Sequence, residues 1–286
     1  MDMTNKIELR YHCYDYDDNI LHMDTKIIME NFVNNIWVET QISTTDFAEF
    51  RKNPLYRVPL KSDGTDDYDK AYSNFRDDGD SSIFLNDTID AITNKRFAPS
   101  YQAFKQCLID GELMAIITAR GNHPLSIRRG IEYIIDTQLS KKEKNIMRKN
   151  LLKYMKIFKN GDDIVSGDTL LNNYLDNCEY IGVSSPYFKD LVIDENLCEM
   201  SNFNPNNTEV SKKIAMSYVV DKLHRYKLSD NYILKIGFSD DDIHNVKSIH
   251  DLFKNELKIK NNNTKFYIFD TSKNIDGSKN YKKISI

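Results

Sequence analysis

The stretch IELRYHCYDYDDNIL, from Ile7 to Leu21, places a pair of acidic residues at the end of a predicted β-strand. Apolar and polar residues alternate from Ile7 to Tyr14, a pattern that favours a half-exposed strand over one at the centre of a sheet. Asp15 and Asp17 follow two positions apart, so their carboxylates converge on one small volume. In parallel α/β sheets, ligands bind beyond the carboxyl ends of the strands. This stretch therefore predicts a functional site at the end of the first strand.

Further apolar runs stop abruptly at polar residues, and longer segments with helical spacing separate them. The other predicted strands are Leu113 to Ile117, Tyr180 to Val183, Tyr232 to Phe238 and Phe266 to Phe269. Apolar residues three and four positions apart predict helices over Ser126 to Gln138, Ser140 to Phe158, Ser211 to Tyr226 and Val246 to Leu257. Such alternation is typical of α/β proteins. We therefore expect a Rossmann-like parallel sheet flanked by helices.

The segment between Leu21 and Phe97 differs in character, because it contains prolines and two acidic, turn-forming stretches, SDGTDDYD and RDDGDSS. This composition is typical of loops, and its length indicates an insert in a larger domain. We expect residues 21–109 to form the insert, and residues 1–20 and 110–286 to form the core. Four aromatic residues are candidates for the small core of the insert: Trp37, Phe47, Phe50 and Tyr56.

The composition, 40% hydrophobic and 29% charged residues over 286 positions, is ordinary for a globular protein and excludes a disordered one. A formal net charge of -4 gives no general attraction to nucleic acid or anionic membranes. No apolar run approaches the ~18 residues that a membrane span requires, and the start, MDMTNKIE, lacks a signal peptide's apolar stretch. The four cysteines have no metal-binding spacing and are expected to be reduced thiols. These features predict a soluble, cytoplasmic protein without a membrane partner. The abundance of Lys, Asn, Ile and Asp hints at an AT-rich genome, and the location would be the host cytoplasm if the source is viral.

The acidic pair predicts a metal. Two ionised carboxylates beside an anionic phosphate are unfavourable without a divalent cation, and Mg²⁺ prefers such oxygen ligands. The same DxDxN string opens an EF-hand calcium loop, which requires Gly at its sixth and Glu at its twelfth position. Those positions hold Ile20 and Lys26, and the preceding segment is a predicted strand instead of a helix, so we reject that interpretation. A solvated acidic turn remains the simplest alternative for this string alone.

Other positions bring related chemistry to predicted strand ends or to a helix start. Thr118 ends the run MAIIT, where a hydroxyl can hold a phosphoryl oxygen. The acids Asp240 to Asp242 follow the run YILKIGFS and would repel one another without a cation. Lys212 or the adjacent Lys213 begins the preceding helix, where an ammonium can neutralise a bound phosphoryl group. Thr118 and the lysine, taken alone, are more often ordinary loop or surface residues, whereas three adjacent acids after an apolar strand are hard to explain as ordinary surface residues.

The ordered set of strand-Asp-x-Asp, strand-Thr, helix-Lys and strand-acidic cluster resembles the four motifs of the haloacid dehalogenase (HAD) superfamily. The resemblance implies that Asp15 is a nucleophile that forms an aspartyl-phosphate, and that Asp17 acts as general acid and then general base. It also implies that Thr118 binds the phosphoryl oxygens and that Lys212 stabilises their charge. An Asp at position 17 favours phosphatases or phosphomutases over dehalogenases and ion-pump ATPases.

The same resemblance implies a Mg²⁺ cofactor. Its expected ligands are Asp15, the backbone carbonyl of Asp17, Asp240, and either Asp241 or Asn245. The chain departs from the family pattern at Ser239, where Gly is usual, which leaves open which of the three following aspartates binds the metal. Asn19 stands where Thr or Val is usual. Only the register of the motif favours Lys212 over Lys213.

The insert lies where this superfamily places a cap, which selects the substrate and excludes water. Arg120 and His123, just after Thr118, are candidates for binding a second anionic group of the substrate, and Lys213 is another candidate for substrate binding. The basic run Lys141 to Lys159 has the charge to bind RNA or DNA, but a solvated helix face is the more ordinary interpretation.

These features together predict a Mg²⁺-dependent phosphohydrolase, a phosphomonoesterase whose substrate is a phosphorylated small molecule, a nucleotide or a nucleic-acid end. Two alternatives stay open. One is a catalytically silent scaffold or binding protein in a larger assembly, and the other is a phosphotransferase that uses the same aspartyl-phosphate. The sequence identifies no protein partner.

Overall fold

The structure is a computed structural model, which describes residues 7–50, 52–79, 82–159, 167–197, 207–225, 232–261, 263–272 and 281–286. Its strands are β1 (Ile7–Tyr14), β2 (Ile27–Val33), β3 (Ile36–Ile42), β4 (Tyr56–Arg57), β5 (Leu113–Thr118), β6 (Glu179–Gly182), β7 (Tyr232–Asp240), β8 (Thr264–Asp270) and β9 (Lys282–Ser285). Its helices are α1 (Thr44–Phe50), α2 (Tyr68–Ala71), α3 (Ile83–Thr93), α4 (Tyr101–Asp110), α5 (Pro124–Gln138), α6 (Lys141–Lys159), α7 (Gly167–Asp176), α8 (Pro186–Asp194), α9 (Thr208–Arg225), α10 (Ile243–Leu252) and α11 (Lys258–Lys260). A 3₁₀ turn (Ser73–Phe75) follows α2, and a π-helical segment (Phe253–Leu257) joins α10 to α11. The strands and helices predicted from the sequence are all present.

Among the described residues, six strands form one sheet in the order β6-β5-β1-β7-β8-β9. Neighbouring strands are parallel, except that β9 runs antiparallel to β8 at the edge. The α/β class and a mostly parallel sheet flanked by helices are thus confirmed, and they are consistent with a Rossmann-like fold. Because β5, β1 and β7 are parallel neighbours, their carboxyl ends meet at one side of the sheet.

The first strand, β1, is half-exposed as expected, since Glu8 and Arg10 are exposed while Leu9, Tyr11 and Cys13 are buried. It lies inside the sheet between β5 and β7, so the expectation that such a strand would not be central was wrong. Its polar residues tolerate a central position because they pair with charged neighbours. Glu8 pairs with Lys235 of β7 at 2.6 Å, and Arg10 and His12 lie 3.5 Å and 2.9 Å from the carboxylate of Glu112. The opposite face of β1 is apolar and buried through Leu9, Tyr11 and Cys13. The alternation in the sequence therefore reflects two differently covered faces of one central strand.

Helices cover both faces of the sheet, and each face has its own hydrophobic cluster. One cluster takes buried residues from α8, α9 and α10, including Phe188, Val219 and Ile249. The other takes them from α3 to α6, including Phe84, Phe104, Ile131, Met147 and Leu151. In β5, Ile117 belongs to the first cluster and Ile116 to the second, as expected for successive residues of a strand that is buried on both faces.

The segment between β1 and β5 contains a second, antiparallel sheet of order β3-β2-β4. A small cluster that includes Ile27, Met29 and Ile42 lies on this sheet, and three of the predicted aromatic residues pack against it: Phe47, Phe50 and Tyr56. Trp37 instead packs on Phe32, with ring centroids 5.0 Å apart. Helices α3 and α4 also fall within residues 21–109, yet they contribute to the core of the main sheet. The small sheet with α1 and α2 is therefore the part of this segment that has a core of its own. We refer to residues 27–75 below as the insert sheet region.

Cys13, Cys107 and Cys178 are buried free thiols, and Cys198 lies outside the described residues. Burial raises the pKa of the Cys178 thiol to about 12. Within the described ranges, no helix combines the length and the apolar composition that crossing a membrane requires.

Candidate active site

The residues predicted to carry chemistry lie where three adjacent strands end. Asp15 immediately follows β1, Thr118 is the last residue of β5, and Asp240 is the last residue of β7. The backbone amide of Asp15 donates a 2.9 Å hydrogen bond to the carbonyl of Ser239, which joins the ends of β1 and β7. The parallel sheet therefore brings these side chains to one place, although they are far apart in the sequence.

Lys212 enters this site from α9 and lies between two carboxylates. Its Nζ atom is 3.0 Å from Oδ1 of Asp15 and 2.8 Å from Oδ2 of Asp240. Only 2% of the Lys212 side chain is exposed, whereas the adjacent Lys213 is half-buried and does not line the cleft described below. Burial opposes the charged form of Lys212, but the two carboxylates outweigh burial and raise the pKa of the ammonium. Lys212 is therefore a fixed cation in the site at neutral pH.

An acidic group surrounds this cation. Asp15, Asp240 and Asp241 each offer a carboxylate oxygen, and these oxygens all lie within 4.8 Å of one another. Burial, reinforced by the neighbouring aspartates and opposed by Lys212, raises the pKa of Asp15 well above its ordinary value. Burial and the charge of Asp240 raise the pKa of Asp241 to about 7. Three carboxylates beside one ammonium leave an excess of negative charge in a buried place.

A divalent cation fits this group, as its donor set indicates. The three aspartates each offer a carboxylate oxygen, and the Lys212 ammonium, 3.0 Å from Oδ1 of Asp15 and 2.8 Å from Oδ2 of Asp240, lies among them. Buried carboxylates are costly unless positive charge compensates them. Divalent cations such as Mg²⁺ and Ca²⁺ prefer oxygen ligands of this kind. Asp15, Asp240 and Asp241 are therefore suitable ligands for a metal ion.

The start of α10 orients Asp240 and separates the roles of the three consecutive acids. Oδ1 of Asp240 accepts hydrogen bonds from the backbone amide of Asp242 at 2.9 Å and from Nδ2 of Asn245 at 3.3 Å. The side chain of Asp242 caps α10 by accepting a 2.8 Å hydrogen bond from the amide of His244. Asp240 and Asp241 thus belong to the acidic group, while Asp242 is engaged as a helix cap and Asn245 positions Asp240.

Asn19 is completely buried and holds the strand ends together. Its Nδ2 donates to the carbonyls of Asp15 and Ser239 at 3.0 Å and 3.1 Å. Its Oδ1 lies 2.8 to 3.0 Å from the hydroxyls of Ser100, Ser239 and Thr271, each of which donates to it. All polar atoms of this side chain therefore have hydrogen-bond partners. Asn19 is the centre of a buried network that links the ends of β1, β7 and β8 to the start of α4. The departure from the family pattern at position 19 thus has a structural role that the sequence did not indicate.

Asp17 lies beside the acidic group, held by two other residues of the site. Nε of Arg120 is 2.8 Å from Oδ2 of Asp17 and Nη2 is 2.6 Å from Oδ1, which makes a bidentate pair. Thr118 donates a 3.2 Å hydrogen bond from Oγ1 to Oδ2 of the same carboxylate. Arg120 was predicted to reach a second anionic group of a substrate, but the structure places its guanidinium against Asp17, with 1% of the side chain exposed. His123, the other candidate, caps the start of α5.

The site opens into a cleft of about 820 Å³ that the insert sheet region closes on one side. The strand ends and α9 contribute its polar floor: Asp15, Asp17, Thr118, Lys212 and Asp241. The insert sheet region contributes a mostly aromatic wall: Thr44, Phe47, Tyr68, Tyr72 and Phe75. The volume lies within the range usual for pockets that bind small molecules.

Comparison of the chain with protein-family models, with curated proteins and with solved structures found no match. The resemblance to the HAD superfamily therefore stays a prediction from the order of the motifs.

Proposed function

We propose that this chain is a Mg²⁺-dependent phosphomonoesterase that acts through an aspartyl-phosphate on Asp15. The observation that carries the proposal is the Lys212 ammonium between Asp15 and Asp240, next to a third carboxylate from Asp241. Catalysis of phosphoryl transfer depends mainly on positioning and on fixed positive charge near the phosphoryl oxygens. A buried lysine, a nucleophilic carboxylate and a set of acidic metal ligands meet those requirements.

The acidic group would hold Mg²⁺ through Asp15, Asp240 and Asp241, with the backbone carbonyl of Asp17 as the further ligand that the resemblance implies. The bound ion would neutralise negative charge on the phosphoryl group and so allow an anionic nucleophile to approach it. The excess of carboxylates over lysine supports this cofactor, since three aspartates offer oxygens within 4.8 Å of one another and Lys212 is the cation between two of them.

In the first proposed step, a carboxylate oxygen of Asp15 attacks the phosphorus and the bond from phosphorus to the leaving oxygen breaks. The leaving oxygen takes a proton delivered by Asp17, and Lys212 stabilises the charge on the phosphoryl oxygens. In the second step, water attacks the aspartyl-phosphate while Asp17 accepts its proton. Inorganic phosphate leaves and Asp15 is regenerated. Thr118 contributes a hydroxyl at the end of β5, where it already donates to Asp17.

The cleft favours a small phosphate ester with a flat, apolar body over a nucleic-acid chain. Its insert wall is aromatic, with Tyr68 and Tyr72 stacked at 6.4 Å and Phe47 edge-on to Tyr72 at 5.8 Å. The cleft is also lined by Asp18 and Asp242 in addition to the acidic group, and these charges repel a polyanionic backbone. A nucleotide belongs to the favoured class, because a base can stack on an aromatic side chain.

The first experiment measures release of phosphate from an aryl phosphate in the presence of Mg²⁺ or EDTA. Asp15→Asn is compared with the wild type and with Asp136→Asn, a matched change at an exposed aspartate that pairs with Lys144 on the surface. We expect Mg²⁺-dependent turnover in the wild type and in Asp136→Asn, and none in Asp15→Asn. Acid quenching during turnover should trap a phosphorylated peptide that contains Asp15.

A folded wild type without turnover on this ester and on a broad panel of phosphate esters would contradict the proposal and favour the scaffold alternative. Transfer of phosphate to an added alcohol in preference to water would assign the same intermediate to a phosphotransferase.

A further inference from the structure

Arg120 is a buried cation that the proposed chemistry does not itself require. Its guanidinium faces two aromatic rings, with the Cζ atom 4.9 Å from the ring centre of Phe75 and 5.5 Å from that of Phe84. Nη2 donates to Oγ1 of Thr25, Thr25 donates to Oδ2 of Asp87, and Nη1 lies 3.6 Å from that carboxylate. Together with the bidentate pair to Asp17, these contacts hold Nε and Nη2 by hydrogen bonds, whereas Nη1 makes none.

The contacts of Arg120 come from both ends of the insert sheet region. Thr25 lies two residues before β2, where the chain enters the small sheet, and Phe75 ends the 3₁₀ turn where the chain leaves it. Asp87 and Phe84 belong to α3, which packs on the main sheet. Arg120 therefore contacts Asp17 and also the two segments of chain that lead into and out of the insert sheet region, at Thr25 and Phe75.

We infer that Arg120 is a positioning residue, which fixes the carboxylate of Asp17 for proton transfer and makes its orientation depend on the insert sheet region. The inference rests on the proposed function. A general acid or base must lie within about 2.6–3.2 Å of the atom with which it exchanges a proton, so its orientation controls the rate. Both oxygens of Asp17 are held by Arg120, and one of them by Thr118 as well. The hydrogen bonds from Arg120 therefore restrict rotation of the Asp17 carboxylate.

A direct role for Arg120 in binding the substrate fits the structure less well. Arg120 borders the cleft, but only 1% of its side chain is exposed, and its Nε and Nη2 atoms are engaged by Asp17. Replacing Arg120 with lysine keeps the positive charge but removes the planar bidentate pair, so Arg120→Lys is a conservative variant for the test.

The test compares two esters that differ in their need for a general acid. Ethyl phosphate has a leaving alkoxide that requires a proton, and 2,4-dinitrophenyl phosphate has a stable leaving group that does not. Arg120→Met, Arg120→Lys, Asp17→Asn and the double variant Asp17→Asn/Arg120→Met are assayed with Mg²⁺ on both esters. Arg128→Met is the matched control, since Arg128 of α5 pairs with Glu132 of the same helix and with Asp176 at the end of α7, and it does not line the cleft. Thermal melting of each variant measures its stability separately.

We expect Arg120→Met to lower kcat/KM on ethyl phosphate by about 10²-fold, the lower end of general acid catalysis, and on the dinitrophenyl ester by less than about threefold. Arg120→Lys should lie between the wild type and Arg120→Met. Adding Arg120→Met to Asp17→Asn should lower kcat/KM by less than about a further twofold, because the effects of substituting two residues that act as one unit are not additive.

Equal losses on the two esters, or additive losses in the double variant, would overturn the inference while leaving the proposed function intact. If Arg120→Met does not fold, the ester selectivity of Arg120→Lys decides, and an unchanged selectivity counts against a positioning role. A folded wild type that hydrolyses neither ester would refute the proposed function and the inference with it.

Discussion

The Nζ atom of Lys212 lies 2.8 Å from Oδ2 of Asp240, so that a buried ion pair connects α9 with the end of β7. A buried ion pair adds little net stability, because removing two charges from water offsets most of their attraction. The position of this pair beside Asp15 is therefore better explained by chemistry than by stability. Removing the lysine separates the two explanations.

Lys212→Met should lower kcat by about 10²–10³-fold, the usual effect of removing one fixed group that stabilises transition-state charge. The measurement is steady-state phosphate release with saturating Mg²⁺, and Lys213→Met on the same helix is the control. Lys213 is half-buried and does not line the cleft, so its replacement should change kcat by less than about twofold. Equal effects of the two changes would place the motif lysine in doubt.

Asn19→Ala should destabilise the fold. The change removes a side chain that makes five hydrogen bonds to groups at the ends of three strands and one helix. At about 1 kcal/mol for each net hydrogen bond, and with some of the freed groups finding new partners, the free energy of unfolding should fall by about 2–5 kcal/mol. Urea unfolding measures this change, with Asn86→Ala on the exposed side of α3 as the control. A loss below about 1 kcal/mol would show that the network is not needed to hold the strand ends.

The layout of the fold was predictable from the sequence, because strands and helices carry different periodicities. Runs such as Leu113 to Ile117 are buried on both faces and read as continuous apolar stretches. The central place of β1 was not predictable, since its polar residues are stabilised by partners that come from other strands, such as Glu112 and Lys235. Pairing of this kind depends on strand order, which no local pattern contains.

The sequence identified the residues of the candidate site that follow strands or lie on a helix. It did not predict the role of a residue whose contacts come from distant parts of the chain. Asp15, Lys212 and Asp240 were identified by their places after strands and on a helix, and the structure brings them together. Arg120 was assigned to a substrate because it follows Thr118 closely in the sequence. The guanidinium is instead buried by α3 and by residues before and after the small sheet, and those long-range contacts cannot be read from the sequence near Arg120.

Tyr68→Ala should raise KM for a phosphate ester that carries an aromatic ring, with kcat little changed. Tyr68 lines the cleft and is 49% exposed, so its removal costs little stability but takes away a stacking surface. Loss of one base-aromatic stack is worth about 1–3 kcal/mol, which corresponds to roughly 5- to 150-fold in KM. The kinetics of a nucleoside monophosphate and of ribose 5-phosphate are compared, and only the first should respond. Tyr281→Ala, at a similarly exposed tyrosine outside this cleft, is the control. An equal rise in KM for both esters in Tyr68→Ala would exclude stacking on Tyr68.

Asp241 should make the stability of the metal-free protein depend on pH. Burial and Asp240 raise its pKa from 3.8 to about 7, so the native state binds this proton more tightly than the unfolded state does. A carboxyl with a raised pKa contributes stability that is fully present below its unfolded value and is lost as the pH rises through its folded value. In EDTA, the free energy of unfolding of the wild type should therefore fall between about pH 4 and about pH 7 relative to that of Asp241→Asn, whose side chain does not titrate.

Mg²⁺ should reverse this loss in the wild type, because the ion takes the place of the proton among the carboxylates and stabilises the native state that binds it. The gain from Mg²⁺ should be larger at about pH 8 than at about pH 5, where protons compete for the same oxygens. Urea unfolding with EDTA or Mg²⁺ at the two pH values measures both effects. Asp136→Asn, a change at an exposed aspartate, should behave as the wild type does. If Asp241→Asn gained as much from Mg²⁺ as the wild type at both pH values, Asp241 would not be a ligand, and Asp15 and Asp240 would be the remaining carboxylates for the ion.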